Sequence, residues 1–147
     1  MWNSFLMNKN GAVVLAALLC LVAAFPLRAQ VSLSETTSGR NVFPLSAKTC
    51  AAIMYDAVSE PSVVGTAVGL LASDIEKVTG KCPSVSGNGF VPASCRYAVI
   101  AGTLGHSSLI DELVRDRKID VSSISGEWER YAIRLVEAPL KGVRRAL

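Results

Sequence analysis

Apolar residues fall at strand-like and helix-like spacings along this chain, and the change from one to the other marks its elements. Tyr97 to Ala101 is a short apolar run with two β-branched residues that stops at Gly102. Such a run reads as a buried strand, here over 97–101. A helical spacing follows over 108–118, with Leu109, Ile110, Leu113 and Val114 as its apolar stripe. Ser107 or Ser108 can cap that helix through its hydroxyl, and Ser108 with Asp111 makes a capping-box-like pair. Asp111 and Glu112 stand in the first turn and Arg115, Arg117 and Lys118 in the last. The signs match the helix dipole at both ends.

The rest of the pattern fits around that unit. Ala51 to Tyr55 reads as an inner strand, and Asp56 to Pro61 as a turn that places Pro61 at the first helical position. Val64, Ala67, Val68, Leu71, Ile75 and Val78 then mark one side of a helix over 61–79, with Gly80 as its C-terminal cap. Thr66, Ser73, Glu76 and Lys77 lie on or beside the other side. Tyr131 to Val136 alternates as a half-exposed strand does, Pro139 to Gly142 is a turn, and Val143 to Leu147 opens a further strand. Val42 to Leu45 suits a short edge strand because Pro44 is tolerated there. Together these predict an α/β fold: a mixed sheet of about three to five strands with helices over 61–79 and 108–118. Strands near 51–55, 97–101 and 131–136 share the sheet, its βαβ connection is parallel and right-handed, and its last pair is antiparallel.

The first 29 residues follow another logic. Lys9 precedes a nearly unbroken apolar run from Gly11 to Phe25, and Leu27-Arg28-Ala29 ends in a small residue. This is the pattern of a secretory signal over 1–29, cleaved after Ala29, with Met7 as an alternative start. The run is shorter than the roughly 20 residues a membrane span needs, and Cys20 lacks the small neighbour of a lipoprotein signal. The mature chain is therefore expected to be secreted or periplasmic, with no stable membrane span. Residues 30–41 read as a polar tail, and 42–147 as one α/β domain.

Charge narrows the function. The whole chain carries 15 Lys and Arg against 12 Asp and Glu, and removing 1–29 takes away only Lys9 and Arg28. The near balance that remains argues against nucleic acid as a partner. Three cysteines survive cleavage: Cys50, Cys82 and Cys95. Cys82 and Cys95 bracket a Pro/Gly/Ser-rich loop and could pair across it in an oxidising compartment, which would leave Cys50 free and buried. No Cys-x-x-Cys or close histidine spacing supports a zinc site, and no cofactor motif is present.

The turn between the 97–101 strand and the 108–118 helix holds most of the candidate chemistry: Gly102, Thr103, Gly105, His106, Ser107 and Ser108. Gly102 to Gly105 could cradle an anion on its backbone amides, although neither a P-loop nor a dinucleotide fingerprint is complete. Gly105-His106-Ser107 has the place of a nucleophile elbow, but Leu109 stands where its second glycine belongs. His106 is also the single histidine of the chain, so no separate base is available. A tight turn with a helix cap explains these residues better. Asp74, Glu76, Asp111, Glu112, Glu127 and Glu129 are the carboxylates that might serve glycoside hydrolysis, and nothing in the sequence pairs them across a cleft. Trp128 could stack on a sugar or pack at a domain edge.

Several segments resemble one family. Phe43-Pro44-Leu45, Ser73 to Gly80 followed by Pro83, Val99 to Leu113 and Ile124 to Tyr131 are similar to the N-terminal domain of glycoside hydrolase family 115. The likeness runs over nearly all of the mature chain. Members of that family are secreted or periplasmic xylan α-1,2-glucuronidases that release glucuronic acid or its 4-O-methyl ether from glucuronoxylan. The resemblance implies an accessory α/β domain like the one before the catalytic barrel of hexosaminidases, with a (β/α)8 barrel following. It implies that barrel as the partner, and xylan as a partner only through the parent enzyme. No catalytic residue carries over. Because the last predicted strand has barely begun at Leu147, the chain is expected to be a C-terminally truncated fragment, inactive alone. The competing expectation is a stand-alone secreted α/β module that binds a carbohydrate or a protein.

Overall fold

The computed structural model describes Gly39 and residues 41–147 other than 89 and 94. The signal peptide expected over 1–29, and nearly all of the tail expected over 30–41, lie outside the described residues.

The most deeply buried strand is β1 (Ala52–Met54), whose three residues are all buried. Parallel neighbours flank it: β2 (Val85–Ser86) on one side and β3 (Tyr97–Ile100) on the other. β5 (Arg145–Ala146) extends the sheet parallel to β3, and β4 (Val136–Glu137) closes it antiparallel to β5. The order is β2-β1-β3-β5-β4, a five-stranded mixed sheet. Among the described residues two helices complete the α/β architecture, α1 (Ser62–Thr79) between β1 and β2 and α2 (Ser108–Arg115) after β3.

The side-chain alternation of β1 assigns each helix to its own face of the sheet. Ile53 points to the face where Val68 and Ile75 of α1 pack, with Val64, Val99 and Ala101 around them. Met54 points to the other face, where Ala98, Val143 and Ala146 meet Leu109 of α2. β1 is buried from both sides, which explains why its sequence is apolar throughout instead of alternating. The connection through α1 leads to one side of β1 and the connection through α2 leads to the other side of β3. Crossovers of one hand that run in opposite directions put their helices on opposite faces.

α1 is longer than the sheet it covers. Eighteen residues of helix span roughly 27 Å, and the three residues of β1 about 10 Å. The middle of the apolar stripe is therefore buried while the end overhangs, leaving Val78 85% exposed. Pro61 stands one residue before the helix, not at its first helical position, and Gly80 ends it at φ 68°, the left-handed conformation that favours glycine. The second helix is shorter than the expected 108–118. It stops at Arg115 because Arg117 turns to φ 56° and the Lys118 amide donates back to the Leu113 carbonyl, closing the last turn.

Three strand expectations need correction. The strand expected over 131–136 forms only at Val136–Glu137, because β5 offers backbone at Arg145 and Ala146 alone, so Tyr131 and Ile133 stay exposed. Val42 to Leu45 forms no strand. Phe43 sets its ring edge-on to Tyr97 with centroids 6.2 Å apart, and the Val42 carbonyl accepts from Arg145 Nη1 at 2.9 Å. The same guanidinium pairs with Glu137, its cross-strand neighbour. In the loop 82–94 the chain supplies β2, whose neighbourhood provides acceptors for β1: Ile53 N–H donates to Ser84 O at 2.8 Å and Tyr55 N–H to Ser86 O at 3.0 Å.

Truncating Ile53 to Ala should cost about 2–5 kcal/mol in urea denaturation, since it opens a cavity under α1. Leu70→Ala, on the same helix face as solvent at 62% exposure, should stay within about 0.5 kcal/mol. Equal losses at the two sites would contradict the assignment of Ile53 to the core.

Candidate functional site

In an open α/β sheet, ligands gather beyond the carboxyl ends of the strands where the winding reverses direction. That point here lies between β1 and β3. Two loops meet there, Tyr55 to Pro61 after β1 and Ala101 to Ser107 after β3. The two strands deliver them side by side, the last ladder bond being Ala101 N–H to Met54 O at 2.9 Å.

Two buried carboxylates bind the loops together. Asp56 uses one oxygen within its own loop, accepting from the Val58 and Ser59 amides at 3.1 Å each. Its other oxygen reaches across to Ser108, accepting from the amide at 3.1 Å and from the hydroxyl at 2.6 Å. Glu60 Oε1 accepts from the Thr103 amide at 2.5 Å, while Glu60 Oε2 is buried without a partner among the described residues. The Ser108 hydroxyl bond, followed by the Ser108 and Ser59 amide bonds, pulls the pKa of Asp56 from its ordinary 3.8 to about 2. Asp56 is thus a carboxylate throughout the physiological range, able to accept hydrogen bonds and unable to serve as a general acid.

The six residues singled out in the turn are all here, in roles that the loop contacts decide. Ser107 is fully buried and caps α2, its hydroxyl accepting from the Ile110 amide at 3.4 Å. Ser108 does not form the expected capping box with Asp111. Its hydroxyl goes to Asp56 instead, and Asp111 turns back to accept from the Gly105 amide at 2.9 Å. Gly102 is required by close approach: a Cβ there would lie 2.5 Å from Ser107 Oγ and 2.8 Å from Glu60 Oε1. Thr103 anchors the turn with its carbonyl, which accepts from the His106 and Ser107 amides at 3.1 and 2.9 Å. His106 itself is exposed.

These contacts bear on the two chemistries weighed for the turn, an anion cradle and a nucleophile. An anion would need the turn's amides, and the protein's own carboxylates already hold those of Thr103, Gly105 and Ser108. Of the two serines, Ser107 is enclosed, whereas Ser108 is exposed and donates its hydroxyl to Asp56. Asp56 and Glu60 were not among the carboxylates the sequence proposed. Their signal was weak but present, two acids four residues apart immediately after a fully apolar strand. Of the carboxylates that were proposed, Asp74 makes an exposed ion pair with Lys77 at 3.6 Å and Glu127 one with Arg130 at 3.6 Å. No group of three or more metal-ligating side chains occurs among the described residues.

Beside this joint lies a cleft of about 890 Å³. Val99, Ala101, Ile110, Leu113 and Leu147 line one side of it with apolar surface, and residues of the segment 119–134, Ile133 among them, line the other. Asp120, Glu127, Arg130 and Arg134 line it too. Asp120 is held below the usual carboxylate range by hydrogen bonds from Ser122, with a smaller contribution from Arg134. Trp128, in the same segment, is 86% exposed and Tyr131 is 84% exposed.

Cys82 and Cys95, which the sequence allows to pair, are not bonded to each other in this structure. All three described cysteines are free, with the Cys95 thiol directed to the Tyr97 carbonyl at 3.0 Å and Cys82 lying near Glu76 and Cys50. Among the described residues no helix is long and apolar enough to cross a membrane.

Against models of known protein families and against curated proteins the chain finds no match.

Three variants test the joint. Gly102→Ala should destabilise by roughly 1–3 kcal/mol because the new methyl meets Ser107 and Glu60, and Ser107→Ala by about 1 kcal/mol through the lost cap. For Asp56 the folded pKa lies below the ordinary one, so its stabilisation is complete above about pH 4 and is lost as the pH falls toward about 2. Melting temperatures measured from pH 7 to pH 2 should therefore fall less steeply below pH 4 in Asp56→Asn than in the parent chain. Parallel curves would show that Asp56 does not supply the acid sensitivity.

Proposed function

We propose that this chain is the non-catalytic accessory α/β domain of a secreted or periplasmic glycoside hydrolase resembling the xylan α-1,2-glucuronidases of glycoside hydrolase family 115. The observation that carries the proposal is how one of the family-like segments, Val99 to Leu113, is used. The amides of Thr103 and Ser108 and the Ser108 hydroxyl are engaged in fastening β3 and α2 to the loop after β1, which suits a supporting domain. The apolar cleft beside the joint adds support, since a face of that kind suits packing against a larger body. Glycoside hydrolysis needs two carboxylates about 5–9.5 Å apart around an enclosed sugar. In the proposed parent enzyme, the following barrel supplies them and glucuronoxylan is its substrate.

A second possibility, a stand-alone secreted carbohydrate-binding module, is favoured by one feature. Trp128 and Tyr131 present exposed rings in the segment that also brings Arg130 and Arg134 to the cleft. Rings of that kind stack on sugars, and an arginine pairs with a uronate carboxylate.

The purified chain is expected to release no glucuronic acid from glucuronoxylan, whereas the product of the reading frame continued through a barrel releases it. Release by the 147-residue chain alone would overturn the accessory role. Trp128 is the single tryptophan after the proposed cleavage site, so its fluorescence reports directly on the alternative. Saturable quenching or enhancement by glucuronic-acid-substituted xylo-oligosaccharides, lost in Tyr131→Ala, would favour the stand-alone module.

A further inference from the structure

We propose that Cys50 and Cys82, not Cys82 and Cys95, are the pair that forms this domain's disulfide. The geometry begins with the Cys50 sulfur, which lies 3.4 Å from the Lys81 carbonyl oxygen, on the peptide unit that leads directly into Cys82. The two cysteines are therefore brought together by segments that are already fastened at neighbouring positions. The Lys81 ammonium donates to the Ala47 carbonyl on the Cys50 side. On the Cys82 side, the Thr79 hydroxyl bonds the Ile75 carbonyl at 2.7 Å, and the Gly80 amide bonds Glu76 O at 2.7 Å, fixing the end of α1 from which Cys82 departs.

Cys95 is differently placed. Its thiol donates to the Tyr97 carbonyl at 3.0 Å, and its side chain packs with the cluster of Met54 and Leu109 on the α2 face. Cys50 packs with the cluster of Ile53 and Val68 on the α1 face. The sheet thus separates Cys95 from Cys50. A bond between Cys82 and Cys95 would have to pull Cys95 out of its packed position, whereas the parallel register that pairs Ile53 with Val85 carries Cys82 alongside Cys50.

The oxidant is a small disulfide such as oxidised glutathione. One protein thiolate attacks it, forms a mixed disulfide and releases one glutathione thiolate. The second protein thiolate then attacks the protein sulfur of the mixed disulfide and releases the second glutathione. Overall the two protein thiols lose two electrons and two protons, and one oxidised glutathione becomes two reduced ones. On the Cys82 side, the negative charge of Glu76 beside the exposed thiol raises the Cys82 pKa and disfavours the attacking thiolate. Replacing that carboxylate should speed the reaction. The bond would tie the start of β1 to the exit of α1, closing the βα half of the fold covalently. Because the oxidation is carried out in vitro, its outcome is independent of the proposed export and of the proposed parent enzyme.

The whole chain, equilibrated with oxidised and reduced glutathione and then alkylated, separates the possibilities by peptide mapping. Trypsin places Cys50 in 49–77 and both Cys82 and Cys95 in 82–96, with Cys20 in a peptide of its own. Chymotryptic cleavage after Phe90 then parts Cys82 from Cys95. The expected product is a cross-link between the Cys50 peptide and 82–90, with Cys95 alkylated. It should persist in Cys95→Ser, vanish in Cys50→Ser, form faster in Glu76→Gln, and raise the melting temperature by several degrees relative to the chain in dithiothreitol. An internal link between Cys82 and Cys95, or three alkylated cysteines under oxidising conditions, would overturn the assignment. Circular dichroism of Cys50→Ser distinguishes a lost cross-link from a lost fold.

Discussion

The fold is held at one point by two carboxylates that reach sideways. β1 and β3 are parallel neighbours, so their following loops emerge at the same edge with amides that the sheet no longer satisfies. Asp56 and Glu60 accept from those amides, Asp56 at Ser108 and Glu60 at Thr103. Leaving such donors unpaired away from water costs about 1–3 kcal/mol each. Everything downstream inherits the result. α2 starts where Asp56 and Ser107 fix its first turn, Leu109 and Leu113 are thereby aimed at the sheet, and β5 can then lie along β3.

The position of this joint explains a tension between topology and chemistry. The reversal of winding between β1 and β3 is the place where an α/β protein would bind a ligand. In this chain the same place is filled by the protein's own groups, with carboxylates standing where an anion would and a buried serine capping the helix. Gly102 makes the arrangement possible, because only the absence of a Cβ lets Ser107 and Glu60 close over the turn. The space available for partners is displaced to the neighbouring cleft. The lining of that cleft combines apolar side chains with charged residues of segment 119–134.

Much of the architecture was legible in the sequence because it depends on local periods. The apolar run of Tyr97 to Ile100, the stripe through Val64, Val68 and Ile75, and the glycine after Thr79 each specify an element within a few residues of where it stands. The antiparallel closure followed from the short turn at Pro139 to Gly142, since only antiparallel strands can be joined so tightly. The strand expected over 131–136 shows the limit of the same reasoning. Its alternation is real, but a strand needs a neighbour along its whole length, and β5 provides two residues.

By itself, then, the sequence determined an α/β chain with an inner strand before each helix, a serine cap on the second helix and a glycine end on the first. Tertiary structure alone decided which serine caps, which acids are buried and which cysteines are neighbours. Ser107 and Ser108 are equivalent by spacing, and they diverge because Asp56, 52 positions away, claims the hydroxyl of Ser108. Cys82 is near Cys95 along the chain but near Cys50 in space, because β2 and α1 carry the chain past the start of β1. Periodicity is a property of neighbours in sequence, whereas a hydrogen bond or a disulfide depends on neighbours across the sheet. The order β2-β1-β3 creates those neighbours.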